Sequence, residues 1–289
     1  MISTVQNVVI PTKSLDIPAV LLVPQTPLPT LIEAVAADTP NVDGVEVAPA
    51  AGAQSNGTKF PALVVLHDIY GLDEATHEAA QRLRDLGYIT ITPDLYAHSG
   101  APKDTSSDKA ILSFMLALDD SRLISDALAA VQWLAQREDV DTTRIGIIGW
   151  GSGGAYALMA GSCDGRLRTV IDIGGHITYP VLTAQKPGSP LNFVADLEGT
   201  FMGAFAGSDP TLPKSEIERL IARLTEHDKR GEVKVYPDAP PRFWRDPALP
   251  QTAQLWRRLE NFLKDNLLEF EASDEPIEDY PNEDARLYA

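Results

Sequence analysis

The residues of this chain whose types and spacing could do chemistry gather around Gly149-Trp150-Gly151-Ser152-Gly153-Gly154. The apolar, β-branched run Ile145 to Ile148 stops at these glycines, and an apolar, Ala-rich segment begins at once. That order predicts a buried strand, a very tight turn and a helix. Glycines two before and two after the tip let the helix turn back against its own strand, the Gly-x-nucleophile-x-Gly arrangement that aims a nucleophile at a carbonyl. In this register the tip is Gly151, which has no side chain to attack with. Ser152 beside it is placed to offer its backbone N–H to an oxyanion. Its hydroxyl is the alternative nucleophile, a weak one without an adjacent base.

Other chemistries are poorly supplied. His67, Asp68 and His176 show no metal-ligand spacing such as His-x-x-x-His, so no metal site is expected. The glycine run has no Lys-Ser/Thr after it and lacks the phase of Gly-x-Gly-x-x-Gly, which disfavours nucleotide binding, and no cofactor is expected. Cys163, the single cysteine, lies in Gly161-Ser162-Cys163-Asp164-Gly165 and reads as a buried apolar residue rather than a reactive thiol.

The elements that must position the elbow follow a regular order. Val5 to Pro11 and Ile17 to Pro24 read as an antiparallel hairpin at a sheet edge. Residues 25–59, rich in Pro, Ala, Thr and Gly with little periodicity, read as an inserted loop. Phe60 to His67 is a continuous apolar run, as expected for a strand covered on both faces. A helix is predicted over Glu74 to Leu86, stopping at Gly87, then a strand over Tyr88 to Thr92. Asp108 to Arg137 is helical with a break near Asp119-Asp120, and Ser152 to Ala160 is the helix of the elbow. Strands Val170 to Ile173, Thr200 to Ala206 and Val233 to Tyr236 alternate with helices Lys214 to Leu224 and Thr252 to Leu267. The alternation predicts an α/β fold, with a mainly parallel central sheet and helices on both faces. Residues 60–268 form the core, with residues 1–24 as a hairpin of the same domain.

Residues 269–289 form an acidic tail with eight carboxylates against Arg286 alone. It reads as a disordered, solubilising segment or, through Phe270, Ile277, Tyr280, Leu287 and Tyr288 spaced among the acids, as a peptide that docks on a partner. The net charge of −17 makes nucleic acid and anionic membrane surfaces poor partners. No apolar run reaches the ~18 residues of a membrane span and no signal-like leader opens the chain, so a cytoplasmic location is expected. The expected partners are a protein, contacted by the acidic tail or the inserted loop, and a small carboxylate ligand.

Five strings together resemble the dienelactone hydrolase family: His67-Asp68-Ile69-Tyr70-Gly71-Leu72, Thr92-Pro93-Asp94-Leu95-Tyr96, the elbow itself, Gly207-Ser208-Asp209-Pro210-Thr211-Leu212-Pro213, and Tyr236-Pro237-Asp238-Ala239-Pro240-Pro241-Arg242-Phe243. They keep the family's order and spacing from about residue 60 to 265. The resemblance implies the α/β-hydrolase fold and, in active members, a Cys-His-Asp triad that opens lactones and esters of small acids. Carried over by position, the nucleophilic Cys falls on Gly151, the His on Pro241 and the acid on Asp209. The glutamate beside the nucleophile falls on Asp68, one methylene shorter, with Ile69 next to it. The basic residues that help hold the substrate carboxylate fall on His98 and Arg245.

Of the five histidines only His227 follows Asp209, where the order nucleophile, acid, base requires the base, and its setting is that of a helix end. Trp150 and Trp244 flank the two lost positions and, facing inward, would fill the old pocket. Asp68, Ile69, His98, Trp150 and Arg245 are therefore the candidate ligand-binding residues. The expectation is a catalytically degenerate member serving as a binding or structural subunit; the alternative is an active hydrolase of small esters or lactones using Ser152 or an atypical site.

Overall fold

The computed structural model describes residues 5–12, 15–24 and 59–269. In chain order the elements are β1 (Val5–Ile10), β2 (Ile17–Leu22), β3 (Phe60–Leu66), α1 (Glu74–Asp85), β4 (Ile89–Pro93), α2 (Asp108–Ala117), α3 (Asp120–Ala135), β5 (Val140–Trp150), α4 (Ser152–Gly161), β6 (Leu167–Ile173), β7 (Thr200–Ala206), α5 (Lys214–Glu226), β8 (Gly231–Tyr236) and α6 (Pro250–Leu263). The strands form one sheet in the order β1-β2-β4-β3-β5-β6-β7-β8. β1 and β2 pair antiparallel, β2 joins β4 antiparallel, and the pairs from β4 through β8 are parallel.

Successive strand residues point to opposite faces, so the continuous apolar runs feed two cores at once. On one face Ala62, Val64 and Leu66 of β3 and Ile145 and Ile147 of β5 pack with α3, α4 and α5, through Leu123, Val131, Leu158 and Leu220 among others. On the other, Leu63 and Val65 of β3 and Ile148 and Trp150 of β5 meet α1 and α6, through Leu83, Leu255, Trp256 and Leu259. This alternation puts Trp150 on the α1–α6 face.

The hairpin, the parallel sheet and the break between α2 and α3 follow the sequence pattern. Asp119 accepts the N–H of Arg122 and so caps α3 where the helical pattern is interrupted. β5 begins at Val140, not at Ile145, because Asp141 to Arg144 are polar and carry no apolar signal. Two 3-10 segments, Pro190–Asp196 and Phe243–Arg245, are too short to leave a periodicity. The inserted loop up to residue 58 and the tail from residue 270 lie outside the described residues. Among the described residues no helix is long and apolar enough to cross a membrane.

Candidate functional site

The elbow forms as the glycine spacing predicts. Gly151 has φ 53° and ψ −123°, a combination hostile to L side chains, and it stands at the N-terminus of α4. Gly149 and Gly153 allow the close approach behind it: a Cβ on Gly149 would lie 2.0 Å from the Gly153 carbonyl oxygen, and one on Gly153 would lie 2.5 Å from that of His67. The tip is fastened by the Gly151 N–H donating to Ile173 O at 2.8 Å.

The volume beside the tip is already occupied. A Cβ on Gly151 would fall 1.9 Å from Asp68 Oδ1 and 2.3 Å from its Cγ. Asp68 is 2% exposed. Its Oδ1 accepts the N–H of Ile69 at 2.7 Å and that of Ser152 at 3.0 Å, while Oδ2 accepts from Arg242 Nε at 3.0 Å. In an elbow of this kind the oxyanion hole consists of the N–H that follows the nucleophile and an N–H from the loop after the equivalent of β3. Here the N–H after the tip is that of Ser152 and Ile69 lies in the loop after β3, and both N–H groups donate to the carboxylate of Asp68.

Arg242 follows Pro241 and adopts a left-handed conformation with φ 56°. Pro241 is exposed and presents its ring to solvent, while its neighbour Arg242 sends a guanidinium inward to Asp68. Arg245, one turn on, donates to Asp73 Oδ2 at 2.5 Å and lies over the Tyr70 ring at 4.7 Å. Asp73 is thereby held below the usual carboxylate range: its partial burial acts upward, and the bonds from Arg245 and Thr76 outweigh it.

Ser152 is buried. Asp209 Oδ1 accepts the N–H and the hydroxyl of Thr211 at 2.8 and 2.7 Å, closing a local turn. His176, in the loop after β6, is held below its ordinary pKa by burial, opposed by the nearby carboxylates of Asp209 and Asp68. His227 ends α5, as its setting in the sequence predicts.

His67 is a structural residue: Leu95 N–H donates to Nε2 at 3.0 Å, and Nδ1–H donates to the Asp68 carbonyl at 2.8 Å. Burial lowers its pKa, consistent with this neutral tautomer. His98 stands against α3, where Arg122 Nη1 donates to its Nδ1 at 2.8 Å and Asp126 Oδ2 lies 3.4 Å from Nε2. Cys163 is exposed, contrary to its expected burial, because it follows the last turn of α4 rather than lying within it. Partial desolvation of the thiol, with Asp196 and Asp164 beside it, raises its pKa and disfavours the thiolate.

A cavity of about 380 Å³ opens between α1 and α6, with Asp68, Trp150 and Arg245 in its wall. It brings together three of the five candidate ligand residues. Ile69 packs instead with Ile111 and Met115, and His98 faces α3. Trp150, Trp244 and Trp256 line the cavity, with ring centroids 6.5 Å apart for Trp150–Trp244 and 5.5 Å for Trp150–Trp256. Trp244 therefore faces inward, as expected, and its ring closes over Gly174, where a Cβ would come within 2.5 Å. No sequence pattern marks the roles of Arg242, Asp73 and His176. The one available signal is the Asp at position 68, whose shorter side chain fits beside a tip that has no Cβ.

A family model described as "Dienelactone hydrolase family" matches residues 48–267. The chain belongs to the dienelactone hydrolase family. Over 215 residues it is 28% identical to a "Putative carboxymethylenebutenolidase" of Methylorubrum extorquens, covering 73% of this chain and 74% of the relative. Over 199 residues it is 29% identical to a "Probable 2-oxo-3-(5-oxofuran-2-ylidene)propanoate lactonase" of Bradyrhizobium sp., covering 68% and 79%. Among solved structures, a "Putative Dienelactone Hydrolase" from Klebsiella pneumoniae superposes with a TM-score of 0.74 at 20% identity, covering 93% of this chain and 100% of that one. That likeness establishes the α/β-hydrolase fold of this dienelactone hydrolase-family chain.

Proposed function

We propose that this member of the dienelactone hydrolase family binds ligands or partners and does not catalyse ester hydrolysis. The supporting observation is the place of Asp68: its carboxylate takes the two N–H donors that would stabilise a tetrahedral oxyanion, in the space a nucleophile on Gly151 would need. An incoming carbonyl meets a filled anion site and no nucleophile. The acidic tail and the inserted loop are the proposed contact arms for a protein partner. The test is to incubate the full chain with p-nitrophenyl acetate, a dienelactone and a fluorophosphonate or iodoacetamide probe, followed by mass spectrometry. No turnover above the uncatalysed rate is expected, and no stoichiometric adduct other than iodoacetamide alkylation of the exposed Cys163. Turnover abolished by Ser152→Ala or His176→Ala in a folded protein overturns the proposal.

A second reading, hydrolysis of a small lactone or ester, is favoured by the names of the relatives, with His176 as its candidate base. In that reading the His176 imidazole takes a proton from water as the water oxygen attacks the carbonyl. The C–O bond of the ring then breaks, and the proton passes to the departing oxygen, releasing a hydroxy acid. Asp68 would have to leave the two N–H groups for the oxyanion to form there. Turnover lost in His176→Ala and unchanged in Ser152→Ala is the signature of this reading.

A further inference from the structure

The cavity between α1 and α6 carries chemistry that the elbow does not use. Its wall is aromatic, formed by the indoles of Trp150, Trp244 and Trp256, and its volume of about 380 Å³ is in the range that encloses a small organic ligand. In a chain of net charge −17, three of its five charged lining residues are arginines. Two are already paired: Arg82 donates to Glu260 at 2.7 Å and lies 4.2 Å over the Trp256 ring, and Arg245 binds Asp73. Asp68 is satisfied by Ile69, Ser152 and Arg242. The lining charges without a partner among the described residues are Arg257 on α6 and Glu78 on α1, both exposed at the rim.

We infer that this cavity binds a planar aromatic carboxylate, with its ring against the indoles and its carboxylate toward Arg257. This deepens the binding reading above and rests on it. Indole faces also attract cations. Here, however, the Trp256 face is occupied by Arg82, and of the two unpartnered rim charges Arg257 on α6, the helix that also carries Trp256, attracts an anion while Glu78 across the mouth on α1 opposes it. The site differs from the anion pocket expected at His98 and Arg245, since His98 is turned to α3 and Arg245 is engaged by Asp73.

The test is isothermal titration of the full chain with 2-naphthoate, 2-naphthamide, 2-naphthylmethylammonium and acetate. Naphthoate is expected to bind, with the amide, the ammonium and acetate each at least about tenfold weaker. Arg257→Gln should weaken naphthoate binding about five- to tenfold, and Glu78→Gln should strengthen it about two- to threefold, both effects shrinking in high salt. Equal binding of acid and amide, tighter binding of the ammonium, no heat from any ligand at millimolar concentration, or affinity unchanged in Arg257→Gln overturns the inference. Naphthoate has no ester bond, so ester turnover, which would overturn the non-catalytic reading, leaves this result unaffected.

Discussion

A Cβ on Gly151 would lie 1.9 Å from Asp68 Oδ1, the same oxygen that takes the Ser152 N–H at 3.0 Å. The tip and the carboxylate therefore exclude each other. Gly151→Cys alone should form no acyl-enzyme with p-nitrophenyl acetate and should lose about 2–4 kcal/mol of stability, from the clash and from a side chain held at positive φ. Adding Asp68→Ala removes the clash and frees both N–H donors. The two changes should be non-additive by about 1–3 kcal/mol, read as a double-mutant cycle in urea denaturation. Strict additivity would mean that Asp68 does not hold the nucleophile's place.

Among the described residues, Arg242 supplies the side chain that pairs with Asp68, and it does so from a left-handed backbone. Arg242→Ala leaves a buried carboxylate with two N–H partners and no counter-charge. We expect a loss of about 1–3 kcal/mol, less than for a fully enclosed pair because the Arg242 side chain is 31% exposed. Arg242→Gly retains the backbone conformation while losing the charge. The difference between the two variants in denaturant midpoint separates backbone strain from charge pairing.

The sequence reveals what depends on apolar pattern and glycine spacing. The strand-turn-helix at Gly149 to Gly154, the edge hairpin and the two-faced sheet each leave a local periodicity, and each is found. The site is less legible because its contacts join distant segments. Asp68 and Arg242 are separated by 174 positions and have no mutual spacing rule. His176 precedes Asp209 in the chain, so the order rule for a triad passes over it. The pairing of Arg245 with Asp73 rests on a turn too short to show periodicity.

A second buried ion pair anchors the loop that carries His176. Lys186, 1% exposed, donates to Asp120, and its ammonium also meets the Tyr156 hydroxyl at 2.8 Å. Tyr156 donates to the same Asp120 oxygen at 2.9 Å. Lys186→Met strands the Asp120 carboxylate in the core and should cost about 3–5 kcal/mol. Lys186→Met with Asp120→Asn should recover a large part of that loss, because no unpaired charge is left. A double variant as unstable as the single one would show that packing of the lysine stem, not its charge, is what stabilises the loop.

Asp172 gives the fold a dependence on pH. It is fully buried in β6, accepts the Gly175 N–H at 2.7 Å through Oδ1, and has no partner for Oδ2 among the described residues. Burial raises its pKa to about 7 from an ordinary value of 3.8, and the Gly175 N–H opposes the rise only in part. Between those two values the folded state holds a proton that the unfolded chain has released. The Asp172 contribution to stability therefore falls as pH rises through that window and levels off above about 7. Asp172→Asn keeps the shape without the ionisation. The variant's advantage over the parent should already be present near pH 5 and should widen by pH 8 by an amount on the order of a few kcal/mol, measured by urea denaturation at each pH. His67 and His176, whose lowered pKa values make acid destabilising, are present in both proteins and cancel in the comparison. A difference between variant and parent that is constant from pH 5 to pH 8 would mean that Asp172 is already ionised at the lower pH.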